Sequence, residues 1–239
     1  MPRVVLIGLN LGIYASLVVL LRSLCRIEQL PNVDGVLGHV SLPPDVIIIN
    51  WLAFGAHSVG EIRRIRQLWP GTHLLVISGG RPLADLPSAP RTLPIANARV
   101  CLLLKEIRDN VDVFAAEFPV YSSQVSASLD YLGEHYAVAS VRRLGRAVGA
   151  APNYLSALLR TEIGYSARTY INQLRIEAAK WLLLETGEKL ETIATKIGLH
   201  DASHLSRFFL KHAGNRPGAY RRETPQVMAS RRHSGQASE

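Results

Sequence analysis

His200 and His204 stand four residues apart, a spacing that can put two imidazoles on one helix face as metal ligands. No Cys or carboxylate completes a ligand set around them, so no metal is expected. Cys25 and Cys101, the only two cysteines, lie far apart without a partner cluster. This suggests neither a disulfide framework nor a thiolate site and fits a reducing cytoplasm. There is no nucleophile elbow, phosphate-cradling glycine loop or carboxylate pair, so the chain is read as no enzyme and no cofactor is expected. The chemistry left is that of cations. Arg142, Arg143 and Arg146 form one group and Arg216, Arg221 and Arg222 another. Such residues clamp phosphates or line a solvated basic face, and their types alone do not choose between the two.

Charge is distributed unevenly. Of the net +8 over 239 residues, segment 124–223 holds 14 Lys and Arg against 9 Asp and Glu, whereas 1–123 holds 11 against 9 and 224–239 holds 2 against 1. A basic surplus on one compact segment favours polyanions, because each neutralised phosphate releases condensed counterions.

The elements that must position these cations are helices. Expected spans are about Gln124–His135, Val141–Val148, Pro152–Glu162, Ala167–Glu185, Leu190–Lys196, Ala202–Ala213 and Pro217–Arg222. Within them a pattern occurs twice: Leu144, Gly145, Val148 and Gly149 are matched 49 residues later by Ile193, Ala194, Ile197 and Gly198. A helix-turn-helix requires it, since the small residue lets the second helix cross close over the first and the glycine permits a left-handed turn. Leu155, Leu158 and Leu159 would hold down one second helix, and Leu205, Phe208 and Phe209 the other. The joining helix, about 19 residues at 1.5 Å each, spans about 28 Å, close to one turn of duplex DNA.

The first half reads differently. Apolar runs Val4–Ile7, Val46–Ile49 and Leu74–Ile77 alternate with helical segments Ile13–Leu24, Ser58–Leu68 and Ala98–Asn110, the signature of a parallel α/β sheet covered on both faces. A further strand is expected around Thr92–Ala96, though poorly marked, after a Pro-rich loop from Arg81 to Arg91. The organisation expected is an α/β unit over 1–115, a linker over 116–123 around Pro119 and Ser122-Ser123, an all-α segment over 124–223 and a disordered tail over 224–239. Residues 4–21 carry no charge and nearly reach the length of a membrane span. Asn10 and Gly12 interrupt the run as a turn would, so a strand and a helix are preferred and the protein is expected in the cytoplasm. A regulator tethered by residues 4–21 is the alternative.

The run Leu190-x2-Ile193-Ala194-x2-Ile197-Gly198-Leu199-x-Asp201-x-Ser203-x-Leu205-Ser206-Arg207-x-Phe209, closed by Gly214-x2-Pro217-x2-Tyr220-Arg221, resembles the second half of AraC/XylS-type regulators. Asn153-Tyr154-Leu155-Ser156 through Gly164-Tyr165-Ser166, then Tyr170-Ile171-x2-Leu174-Arg175-x3-Ala178, resembles the first half. The resemblance implies a transcription regulator that reads double-stranded DNA in the major groove through two helix-turn-helix units. It assigns Asn153, Ser156 and Ala157 to the groove in the first unit, with Arg160 nearer the backbone, and Ala202, Ser203, His204 and Arg207 in the second. Arg207 could pair bidentately with guanine, whereas Ala157 departs from the larger polar residue frequent there. RNA polymerase is an implied partner, as is a second copy of the chain through the N-terminal unit. A small-molecule effector is unknown.

Asp45-Val46-Ile47-Ile48-Ile49-Asn50 resembles the third strand of response-regulator receiver domains, and the run from Leu74 to Ser78 the fourth. The places that would hold the phosphoacceptor Asp, the acidic pair and the Lys hold Asn50, then Gly8, Leu9 and Asn10, and Leu93. An amide forms no acyl phosphate, so the resemblance implies a degenerate receiver not controlled by Asp phosphorylation.

Overall fold

The computed structural model describes residues 1–30, 43–50, 58–77, 92–95, 99–111 and 119–222. Ser78, the Arg81–Arg91 loop, residues 116–118 of the expected linker and the tail 224–239 lie outside them. Two compact units result, 1–134 and 135–239.

The first unit is built on strands β1 (Arg3–Ile7), β2 (Arg26–Leu30), β3 (Val46–Asn50), β4 (His73–Ile77) and β5 (Thr92–Ile95). All pairs are parallel, in the order β2-β1-β3-β4-β5. That is the order of flavodoxin-like doubly wound sheets. Val5, Ile7, Ile47, Ile49, Leu74 and Val76 point to one face and pack with Ile62 and Ile65 of α2 (Ser58–Leu68). Their alternates Val4, Leu6, Ile48 and Leu75 are equally buried, as strands covered on both sides must be. Helices α1 (Leu11–Leu21) and α3 (Val100–Asn110) pack against each other.

Residues 4–21 are thus divided between β1 and α1, and Asn10 makes the division: its Oδ1 accepts from Ile13 N at 2.8 Å and caps α1. Among the described residues no helix is long and apolar enough to cross a membrane, which removes the support for the tethered alternative.

Strand β2 was not among the expected elements. It is an edge strand, and Glu28 bridges Arg3 of the neighbouring β1 at 3.5 Å and Arg26 on its own strand at 3.0 Å. An edge strand needs no continuous apolar run, so periodicity missed it.

Helix α4 (Ser123–His135) is where the chain departs most from the expected organisation. Nearly all of it falls in the first unit. A Cβ on Gly133 would lie 2.8 Å from Val100 Cγ2 and 3.5 Å from Ile13 Cγ1, so the bare glycine lets α4 lie against α3 and α1. Helix α3 has no side-chain cap of its own; Asp130 of α4 supplies it, accepting from Cys101 N at 2.9 Å. Burial raises the Asp130 pKa, while this hydrogen bond opposes the rise.

The second unit is helical: α5 (Val141–Val148), α6 (Pro152–Ile163), α7 (Ala167–Glu185), α8 (Leu190–Lys196), α9 (Ala202–Ala213) and a short helical stretch over 217–222. Side-chain caps start three of them: Ser140 Oγ accepts from Arg143 N, Ser166 Oγ from Thr169 N, and Asp201 Oδ1 from His204 N. Tyr170, Leu174, Ile176, Ala178, Ala179 and Leu183 are all buried, so α7 is apolar on more than one side, as a helix with packing partners on several faces must be.

Candidate nucleic-acid interface

Helices α5 and α6, and again α8 and α9, form the two helix-turn-helix units. Leu144 and Ile193 are fully buried at equivalent places. The small residues after them are needed. A Cβ on Gly145 would lie 2.7 Å from Ala150 O and 3.4 Å from Pro152 Cγ, and Ala194 is itself fully buried. Their carbonyls accept from the amides five residues on, Ala150 at 2.9 Å and Leu199 at 2.8 Å, which closes each first helix around a glycine at positive φ, Gly149 at 70° and Gly198 at 77°. Leu155 and Leu159 bury α6, and Leu205 and Phe209 bury α9; Leu158 and Phe208 are half-buried beside them.

The units then diverge. Helix α6 starts three residues after its glycine, but α9 starts four after its own. The longer turn places Asp201 at the N-cap, where the hydrogen bond from His204 N holds its carboxyl below the usual range. Ala151 gives α6 no side-chain cap, and Pro152 in its first turn, with φ already preset, is the substitute.

Opposite each buried pair lies an exposed face. On α6 it presents Asn153, Ala157 and Arg160, with Ser156 half-buried; on α9 it presents Ser203 and Arg207, with Ala202 and His204 half-buried. Ala157 and Arg207 occupy equivalent central positions on these faces. The resemblance assigned to the groove neither Tyr154, 52% exposed next to Asn153, nor Lys211, exposed one helical turn beyond Arg207. The i, i+4 spacing from Arg207 could have marked Lys211.

The arginines separate into two kinds. Arg142, Arg146 and Arg216 are exposed. Arg143 is exposed too, but its Nη1 donates to Val138 O at 2.8 Å. Arg221 is half-buried, and its Nε and Nη2 donate to Leu183 O at 3.1 Å and Glu188 O at 2.7 Å, satisfying carbonyls at and beyond the end of α7. Tyr220 packs edge-on against Phe209 with ring centroids 5.3 Å apart. The His200 and His204 rings stack at 6.1 Å, and among the described residues no group of three His, Cys, Asp or Glu could hold a metal ion.

In the first unit, Asn50 at the carboxyl end of β3 donates Nδ2 to Gly8 O at 3.0 Å, and Gln29 Nε2 donates to Leu9 O at 3.1 Å. With Asn10 capping α1, the positions matching an acidic pair and a phosphoacceptor hold a loop in place through backbone and amide groups.

A family model described as a helix-turn-helix domain matches residues 144–223. The chain is similar to the uncharacterized HTH-type transcriptional regulator YijO of Escherichia coli (strain K12), 30% identical over 142 residues, 59% of this chain and 50% of that protein. It is similar to the arabinose operon regulatory protein of Salmonella typhimurium, 30% identical over 105 residues, 43% of this chain and 37% of that one. The chain thus spans half or less of the length of these relatives. Among solved structures, the C-terminal domain of AraT, a response regulator from Geobacillus stearothermophilus, is 28% identical, with 42% of this chain and 85% of that one covered and a TM-score of 0.41.

Proposed function

We propose that this chain, whose residues 144–223 match a helix-turn-helix domain model, is a sequence-specific DNA-binding transcription regulator of the AraC/XylS type that reads a bipartite site through α6 and α9. The observation that carries the reading is the pair of exposed faces centred on Ala157 and Arg207, each backed by a buried apolar pair. Helix α7, 19 residues long, spans about 28 Å, near the ~34 Å between successive major grooves on one side of the duplex. Arg207 reads a base, with Ser203 and His204 beside it. Asn153 and Ser156 contribute polar contacts, and Ala157 can offer a thymine methyl only an apolar surface. Arg142, Arg146 and Arg216 neutralise phosphates. Arg143 and Arg221, whose donors serve backbone carbonyls, contribute less to that term.

The α/β unit is assigned a regulatory role. With Asn50 in place of an acceptor carboxylate it is not switched by Asp phosphorylation, which leaves association with a second copy, a protein partner or a small effector as its means of control. RNA polymerase is proposed as a further partner.

Fluorescence anisotropy of the full chain against promoter duplexes, with random duplex as competitor, tests the reading. Salt-sensitive binding that survives competition at selected sequences is expected; equal affinity for every duplex would refute sequence-specific regulation.

A further inference from the structure

Residues 136–139 run across the whole DNA-binding unit. Tyr136, 8% exposed, donates its hydroxyl to Lys196 O, the last carbonyl of α8, at 3.3 Å. Ala137 O faces the turn before α9 so closely that a Cβ on Gly198 would overlap it. Val138 O accepts from Arg143 of α5. Ala139 is followed by Ser140, the N-cap of α5. In four residues the segment therefore joins the end of α8, the turn into one recognition helix and the start of the other unit.

One side chain ties this strap to the connecting helix. Arg175, within α7, donates Nη2 to Ala137 O at 3.0 Å and to Ala139 O at 3.1 Å. The two acceptors flank Val138, so a single guanidinium nitrogen bridges the strap on either side of its contact with α5. Among the described residues the strap is the one segment that meets both units and α7 through named hydrogen bonds.

We infer that Arg175 is a positioning residue for DNA recognition: by holding the strap against α7 it fixes the spacing and rotational phase of α6 and α9, without touching DNA itself. The inference rests on the bipartite reading above. Two recognition helices gain from a divided site only if their separation is held, because each extra base pair turns one half-site by about 35° relative to the other. Helix α7 sets a distance, and the second unit is joined to it through the extended Thr186–Lys189 connection and held by Arg221 at Leu183 O and Glu188 O. Those ties join the second unit to α7 alone; the strap ties it to the first unit as well, since it is anchored at Lys196 and Gly198 on one side and runs into Ser140 on the other.

The test uses the full chain and a duplex selected by the wild type from a randomised library, remade with one or two base pairs inserted or removed between its half-sites. For the wild type, one inserted base pair should weaken binding about tenfold. Arg175→Met should flatten this dependence to less than about threefold while binding to a duplex carrying one half-site stays within about twofold of the wild type. Arg175→Lys keeps the charge but lacks the planar fork and should fall between them. It also serves where Arg175→Met does not fold. A wild-type spacing profile in the folded variant would overturn the inference, as would loss of single-half-site and divided-site binding in equal proportion, the mark of a merely structural role. A wild-type chain that selects one undivided site would overturn the bipartite reading and this inference with it.

Discussion

Gly149 and Gly198 hold equivalent places in the two helix-turn-helix units and share a left-handed backbone, but only Gly198 is sterically closed. A Cβ at 149 meets no atom within 4 Å, whereas one at 198 would overlap the carbonyl of Ala137. The same residue type thus answers one demand in the first unit and two in the second. Gly149→Ala should cost about 1 kcal/mol, the price of a left-handed non-glycine residue. Gly198→Ala should cost more than about 4 kcal/mol or prevent folding, because the strap must also move. Urea unfolding of both variants checks the order, and equal costs would show that the strap yields freely.

Arg207 and Ala157 sit at matching centres of their exposed faces, so the two units should contribute unequally to recognition. Arg207→Ala should lose about 1–3 kcal/mol of binding and relax preference at one base pair. Ala157→Arg should tighten binding and sharpen one position in the other half-site. Binding measured across a single-substitution duplex library would reveal both, and an unchanged preference profile for Arg207→Ala would remove its assignment as a base reader.

The two kinds of arginine differ in what they hold. Arg142→Ala and Arg146→Ala should each lower the slope of log affinity against log salt by about 0.9, the share of one phosphate contact. Arg221→Ala should leave that slope unchanged and reduce unfolding free energy by about 1–3 kcal/mol, since it strands the carbonyls of Leu183 and Glu188. Salt titration and denaturation together separate these effects.

Asp201 adds a pH dependence confined to the second unit. The bond from His204 N lowers its pKa in the folded chain, so its stabilisation is complete above the ordinary carboxylate pKa and is lost as pH falls through the depressed folded value. The melting temperature of Asp201→Ala should therefore lie below that of the wild type at neutral pH, and the gap should close in acid. A gap that persists in strong acid would mean the carboxylate charge is not what the cap uses.

Asn50 donates to Gly8 O and carries no carboxylate, and Gly8, Leu9 and Asn10 supply none. Incubation with acetyl phosphate and Mg²⁺ should leave the intact mass of the wild type unchanged. Asn50→Asp should also remain unmodified, because the acidic pair that would hold the metal is still missing. A phosphoryl adduct on either would contradict the assignment.

The helices of the second unit were legible in the sequence because their determinants are local. Caps at Ser140, Ser166 and Asp201 lie within a few residues of the groups they satisfy, as do the small residues Gly145 and Ala194 and the glycines after them. Buried strands β1, β3 and β4 were legible for a related reason: a strand covered on both faces must be a continuous apolar run. Strand β2 was not, since Arg26 pairs with Glu28 along the strand and Glu28 with Arg3 of β1, which leaves no apolar run at a sheet edge. Helix α4 was found as a helix but assigned to the second unit, because an amphipathic pattern states that a face will be buried and not against what. Its place was decided by the room at Gly133 and by Asp130 capping a helix 29 residues away. The strap was illegible altogether. Tyr136–Ala139 carries no motif, and its hold on Arg175 is a main-chain acceptance in which the acceptor's side chain has no part. The sequence by itself determined the two helix-turn-helix units; only the tertiary structure decided which carbonyls meet Arg175, because the acceptors there are backbone groups, which every residue type possesses.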